Sequence, residues 1–339
     1  MLYGTLWPAH PKLLPDELLS SWIVRTAEAN GIRLYTLTLS LFGDRITPWH
    51  RDIDRLAPKW LLKAICAKTG TSYWDAYHAT LTGYRTHLYP RRQTSGQLRW
   101  ILPISVFGLD RHGYGQQYCP LCLAEDGTPY FRRAWRVGFY TFCPVHACML
   151  SDACPECGAP VVLHRRDIGR EICDSKDIGH CQRCGADYRA TPITAAIDIQ
   201  PTHAELLAWM SSGSPSGSRY DLGFLAVMHH LCKVLGSSAN RGRLLSWVTQ
   251  QIGSTLVHPT PLRLPVEGRR VLDRHALVSQ SLWLLEDTKR VVAAWSAKAV
   301  RFNHLLKDFD EPPKWYVETC LKLKRPMTSR RSAHAHPLV

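Results

Sequence analysis

Twelve cysteines occur in this chain of 339 residues, and their spacing points to chemistry more than their number does. Cys119/Cys122, Cys154/Cys157 and Cys181/Cys184 are Cys-x-x-Cys pairs, and Cys143/His146 is a Cys-x-x-His pair. Random placement would give roughly 0.4 pairs in that register, so three, joined by a fourth of mixed type, form a metal-site pattern. Zinc takes four thiolate or imidazole ligands in a tetrahedron, and one tight Cys-x-x-Cys turn grips half of it. Two turns complete a site. The eight residues are therefore expected to hold two structural Zn2+ ions.

Sequential pairing joins Cys119/Cys122 to Cys143/His146 and Cys154/Cys157 to Cys181/Cys184, with 20 and 23 residues between the halves. These lengths fit zinc ribbons. An interleaved pairing, first half with third and second with fourth, is the alternative. The stretch "YFRRAWRVGFYTF" reads as a strand-like hairpin arm entering the second half-site, which favours the sequential order. "CPECG" and "CQRCG" each close on a glycine, as a tight knuckle requires. Cys66, Cys148, Cys173, Cys232 and Cys320 have no partner in register and read as small core residues, and His164 and His180 as surface histidines.

A hydrolytic zinc keeps one coordination position open for water, and both proposed sites are filled. The chain also lacks His-Glu-x-x-His, a Walker loop, a Gly-x-Gly-x-x-Gly fingerprint and the His-x-Glu…Pro-Cys-x-x-Cys order of zinc deaminases. The expectation is a protein that is not an enzyme.

The elements that must position these ligands are mainly helical. In "DELLSSWIVRTAEAN", Leu19, Trp22, Ile23 and Ala27 share a face, with Asp16 as N-cap and Gly31 as stop. Leu34, Leu37 and Leu41 mark a second short helix ending at Gly43, and the two together are compatible with a helix-turn-helix. Pro58–Thr69 and Ser72–Leu81 read as two more helices. Beyond the metal region, Phe224, Met228, Leu231 and Leu235 form one apolar stripe, and "SLWLLEDTKRVVAAWSAKAVRFNHLL" a helical pair. The predicted fold class is mainly α with small β. It has a helical N-terminal unit (1–95), a tandem zinc-binding region (96–200), a helical C-terminal domain (201–325) and a disordered basic tail (326–339).

Net charge is +14 with a pI near 9.4, which suits a polyanion such as DNA. Residues 141–200 do not share that bias, with 6 basic and 8 acidic side chains. Arg85, Arg91, Arg92 and Arg99 interleave with Tyr84, Tyr89 and Trp100, a mixture suited to phosphates and bases. Arg132, Arg133 and Arg136 are expected to form a basic face between the first two half-sites. No apolar run reaches the roughly 18 residues of a membrane helix and no signal-peptide pattern opens the chain, so the reading is cytoplasmic.

The start "LLPDELLSSWIVRTAEANG", then "YCPLCLAEDGTPYFRRAWRVGFYTFCPVHACMLSDACPECGAPV" and "CQRCGADY", resembles the TniQ/TnsD family of transposon target selectors over roughly the first 190 residues. The resemblance implies a non-enzymatic adaptor that links target DNA to an AAA+ ATPase regulator of transposition. In CRISPR-associated members it links an RNA-guided effector complex instead, sometimes as a homodimer. TnsD-like relatives read an attachment site directly, so a zinc-containing sequence-specific DNA-binding protein is the alternative. The eight Cys and His residues match the family's zinc ligands. Glu17, Ser20, Trp22 and Arg25 match its leading motif, taken here as partner-binding, while Leu18 stands where the family has a serine.

Overall fold

The computed structural model describes residues 6–43, 49, 52–89, 96–104, 113–165, 176–197, 199–213, 215, 217–237, 242–253 and 264–324. Among the described residues five helices build the N-terminal region: α1 (Leu19–Ala29), α2 (Leu34–Phe42), α3 (Ile53–Leu56), α4 (Lys59–Thr69) and α5 (Tyr73–His78). The expected turns are present. Gly31 and Gly43 adopt positive φ of 63° and 75° at the ends of α1 and α2, and Ser72 caps α5 by accepting from Asp75 N. Helix α5 is shorter than the Ser72–Leu81 expected, stopping at His78 before a 3₁₀ turn at Leu81–Tyr84.

One cap differs from expectation. Asp16 does not cap α1; it sits at φ 55°, and its carboxylate accepts from Arg133 Nε at 2.9 Å and Ala134 N at 3.0 Å. It thereby caps a 3₁₀ turn, Arg133–Arg136, that lies in the metal region. A residue at the N-terminal edge of the chain thus orders the segment between two metal half-sites.

That segment is not the hairpin arm expected. "YFRRAWRVGFYTF" forms the 3₁₀ turn and ends in a strand of two residues, β1 (Phe142–Cys143), paired antiparallel with β2 (Cys148–Met149). Its aromatic side chains, Phe131, Trp135 and Phe139, are core and not sheet surface. The hairpin is confined to the knuckle itself. One short helix, α6 (Pro120–Glu125), starts inside the first half-site with proline in its first turn.

The C-terminal helices are α7 (Pro201–Ser211), α8 (Leu222–Leu235), α9 (Arg243–Ile252), α10 (Val271–Glu286), α11 (Lys289–Ser296), α12 (Phe302–Leu306) and α13 (Lys314–Leu321). The predicted stripe of α8 packs on α10, and the predicted helical pair is divided at Asp287 between α10 and α11. The segment 326–339 lies outside the described residues. Among the described residues no helix is long and apolar enough to cross a membrane.

The three regions meet in one continuous buried cluster that runs from Trp22 through Trp135 to Leu277. Polar clasps cross it. Glu267 accepts from Trp100 N at 2.7 Å and from Gln97 Nε2 at 2.8 Å. Arg274, fully buried, donates to Gly138 O and Gln117 Oε1. Asp152 receives Val271 N at 2.7 Å and Arg270 Nε at 2.9 Å, placing an acid at the positive N-terminus of α10. Two buried imidazoles add to the seam: His203 bonds to Phe139 O and His275 to Thr141 Oγ1. Burial holds His203 neutral, its pKa lowered to about 3.

Candidate metal centre

The eight predicted ligands converge as two separate clusters in sequential order: Cys119, Cys122, Cys143 and His146, then Cys154, Cys157, Cys181 and Cys184. Interleaving is overturned. Within each set the ligand atoms all lie within 4.8 Å of one another.

In the first cluster, Cys119 is the N-cap of α6, and its Sγ accepts from Cys122 N at 3.5 Å, which folds the Cys-Pro-x-Cys turn around the sulfur. Cys143 leaves β1, and the turn into β2 brings the imidazole back with Nδ1 facing the sulfurs. A tetrahedral ion with Zn–S of about 2.3 Å and Zn–N of about 2.0 Å requires sulfurs about 3.8 Å apart and a nitrogen about 3.5 Å from each sulfur. Here His146 Nδ1 lies 3.4 Å from the Sγ of Cys119, Cys122 and Cys143, and the Cys122 and Cys143 sulfurs are 3.7 Å apart. The cluster fits that ion. Glu125 Oε2 lies 2.9 Å from His146 Nε2, so this nitrogen donates to the carboxylate and leaves Nδ1 with its lone pair toward the sulfurs.

The second cluster is built from two copies of one turn. Cys154 N donates to Ala159 O and Cys181 N to Ala186 O, each at 2.8 Å. Gly158 N closes on Cys154 O and Gly185 N on Cys181 O, with positive φ of 66° and 76° at the two glycines. A side chain at either glycine would strain the knuckle. Sulfur separations are 3.5 Å for Cys154–Cys184 and 3.7 Å for Cys157–Cys181, again the edges of a Zn–S tetrahedron.

The Cys119 thiol is brought down to about 3 by the thiols of Cys122 and Cys143 donating to it, against the cost of burial. Burial resists ionisation of Cys181, yet backbone N–H groups of Cys184 and Arg183 and the neighbouring thiols bring it down to about 7. Burial pushes Cys154 up to about 12. A divalent ion would displace the remaining protons, so binding and proton release are linked. A metal held by all four protein ligands at either site would have no position left for a reacting water, and its contribution there would be structural.

Among the other cysteines, Cys148 brings a fifth sulfur to 3.6 Å from Cys119, a neighbour the spacing argument could not foresee. Cys232 and Cys320 are core, as expected, and Cys173 lies outside the described residues. The two histidines read as surface residues are not free-standing. His164 stacks on Trp49 at 5.3 Å and burial lowers its pKa to about 4, while His180 is bonded to Asp177.

The leading motif lies inside the protein. Glu17, Ser20, Trp22 and Arg25 are all buried. Glu17 and Arg25 form a two-pronged pair, Nε to Oε1 at 2.7 Å and Nη2 to Oε2 at 2.6 Å, and Ser21 Oγ donates to the same carboxylate. Ser20 donates through N and Oγ to Asp54, each at 2.8 Å, and Trp22 Nε1 reaches Pro11 O at 2.7 Å. Leu18, the departure from the family pattern, is fully buried. These side chains lock α1 to its surroundings and are buried in the single chain.

The basic face expected from residues 132–136 is likewise corrected. Arg132 pairs with Asp126 at 2.8 Å and Arg133 with Asp16, and Arg136, 0% exposed, with Asp52 and Asp54. Two carboxylates on one guanidinium leave an excess negative charge, and burial together with Asp52 pushes Asp54 up to about 6 against Arg136 and Ser20. Arg85 and Arg99 are exposed and line two different clefts, whereas Arg91 and Arg92 lie outside the described residues. Helix α2, the second helix of the expected helix-turn-helix, reads "LYTLTLSLF" and offers no cation to a phosphate.

Residues 8–150 match the family model described as TniQ. No curated protein matches the chain. The matched span encloses the α1 lock and the complete first cluster and ends before Cys154.

Proposed function

We propose, from the match of residues 8–150 to the TniQ family model, that the chain is a TniQ-type, non-enzymatic target-selection adaptor for DNA transposition. In this reading it links target DNA, or an RNA-guided CRISPR effector complex, to an AAA+ ATPase regulator that recruits the transposase. The observation that carries it is the TniQ match, which covers the N-terminal helices and the first cluster. Two closed four-ligand sites support a scaffolding role for metal, with Zn2+ the ion that fits the donor sets. A cytoplasmic location and homodimerisation belong to the same proposal.

The test is co-purification of the full chain with an AAA+ transposition ATPase, in the presence of DNA and ATP, coupled to a transposition assay in cells. Retention of the ATPase and loss of insertion on deleting the gene are expected. Insertion at unchanged frequency and sites without the protein would overturn the adaptor reading. The net charge of +14 favours direct DNA contact, and a second reading follows from it: a DNA-binding protein that recognises its site without an ATPase. A footprint from the isolated protein on a defined sequence, weakening steeply with salt, would select it.

A further inference from the structure

A cleft of about 400 Å³ opens on the N-terminal unit between α3, the first turn of α4, α5 and the 3₁₀ turn after it. Arg55, Lys59 and Arg85 line it, and no carboxylate does among the described residues. This sets it apart from the arginines of residues 132–136, whose charge is spent on acids. Lys59 and Arg85 are exposed and have no ion-pair partner among the described residues.

The other walls are aromatic. Tyr73 and Tyr77 sit four residues apart on one face of α5, with ring centroids 6.3 Å apart and planes within 22°. Tyr89 is fixed by its hydroxyl donating to Leu81 O at 2.9 Å. Trp74, 65% exposed, packs edge-on against both Tyr73 and Tyr77 at 5.8 Å. Packing therefore orders the rings before any ligand arrives, which lowers the entropy lost on binding. Rings beside cations, in a cleft too small for a duplex, match an unstacked base and its flanking phosphates.

We propose that this cleft binds a single-stranded segment of nucleic acid, with a base against Tyr73 and Tyr77 and phosphates held by Lys59 and Arg85. It rests on the reading that this protein contacts nucleic acid, and it names the surface and the form recognised. DNA and RNA strands share this chemistry, and a displaced DNA strand or a guide-RNA segment would both present it.

The experiment is fluorescence anisotropy on the full chain with labelled dT15, U15 and a 15-base-pair duplex, across a salt series. One or both single strands should bind more tightly than the duplex, and the stronger of the two identifies the source. Tyr77→Ala should weaken single-strand binding about tenfold while Tyr77→Phe keeps it. Arg85→Ala should weaken it and reduce the salt slope by about 0.7. Melting temperature and metal content of each variant should equal those of the parent protein. Preference for duplex, or single-strand affinity unchanged by both Tyr77→Ala and Arg85→Ala, would sink the cleft and leave DNA contact elsewhere standing. Failure of all three probes to bind would remove the nucleic-acid reading along with it.

Discussion

The two cysteine clusters offer the same kind of chemistry from opposite settings. In the first, Cys119, Cys122 and Cys143 are buried, and the knuckles grow out of α6 and β1, whose neighbours Leu123, Phe131 and Phe142 belong to the main core. The second is made of two self-contained turns, with Cys157 half-buried and Cys184 exposed. It docks through Tyr188, whose ring lies 4.7 Å from that of Tyr118, and through Tyr118 Oη donating to Ala153 O. The family match ends between them. The difference teaches that equal ligand sets need not carry equal structural weight. A metal ion in the first cluster would close a loop that holds α1, the 3₁₀ turn and the C-terminal helices in register; one in the second would hold mainly its own knuckles.

The largest effect that can break this comparison is removal of one ligand from each side. Cys143→Ser should lose its metal and the cooperative fold of the domain, because structural zinc contributes folding energy directly. Cys184→Ser should lose one metal ion per chain and keep a cooperative melt. Metal content by atomic emission and thermal denaturation followed by circular dichroism read both. Equal losses of cooperativity in the two variants would erase the distinction.

Smaller is the effect of the carboxylate behind the histidine. Glu125→Gln should lower metal affinity at the first cluster by about tenfold, the low end for such partners because Glu125 is largely exposed, and leave the second unchanged. Competition against a chromophoric chelator would resolve the two sites. A uniform drop at both would show that Glu125 acts on the whole fold instead.

The smallest concerns pH. Asp54 has a pKa raised from 3.8 to about 6, so in the folded protein its ionised form is disfavoured. Its contribution to stability is complete below the unfolded pKa and is lost as pH rises through about 6. Stability should therefore fall by an amount on the order of 1 kcal/mol between about pH 5 and pH 7.5 from this group. Asp54→Asn should flatten that slope. Denaturant melts at the two pH values compare parent and variant, and identical slopes would show that Arg136 keeps the carboxylate charged throughout.

Much of the local structure was legible because it obeys short-range rules. The helix starts and stops near Gly31, Gly43 and Ser72, the glycine-closed knuckles and the sequential order of the ligands all follow from spacing and backbone preference. What escaped was long-range. Helix α3 has four residues, too few to show a period. Asp16 resembled an N-cap in sequence, but its carboxylate reaches Arg133 and Ala134, 117 and 118 residues away. Aromatic residues in 130–142 read as strand because β-propensity and burial look alike in a sequence.

The sequence by itself determined that this chain holds two four-ligand sites and a helical frame, since ligand number and turn chemistry are properties of a few consecutive residues. Only the tertiary structure decided which charges are available to a partner. Glu17, Arg25 and Arg136 look like surface groups in sequence, yet each is buried and paired with an opposite charge. Lys59 and Arg85 line an aromatic cleft with no acid among the described residues of its walls. A charge in a sequence has a sign but no surroundings, and it is desolvation together with the neighbour brought in by folding that makes it a strut or a binding group.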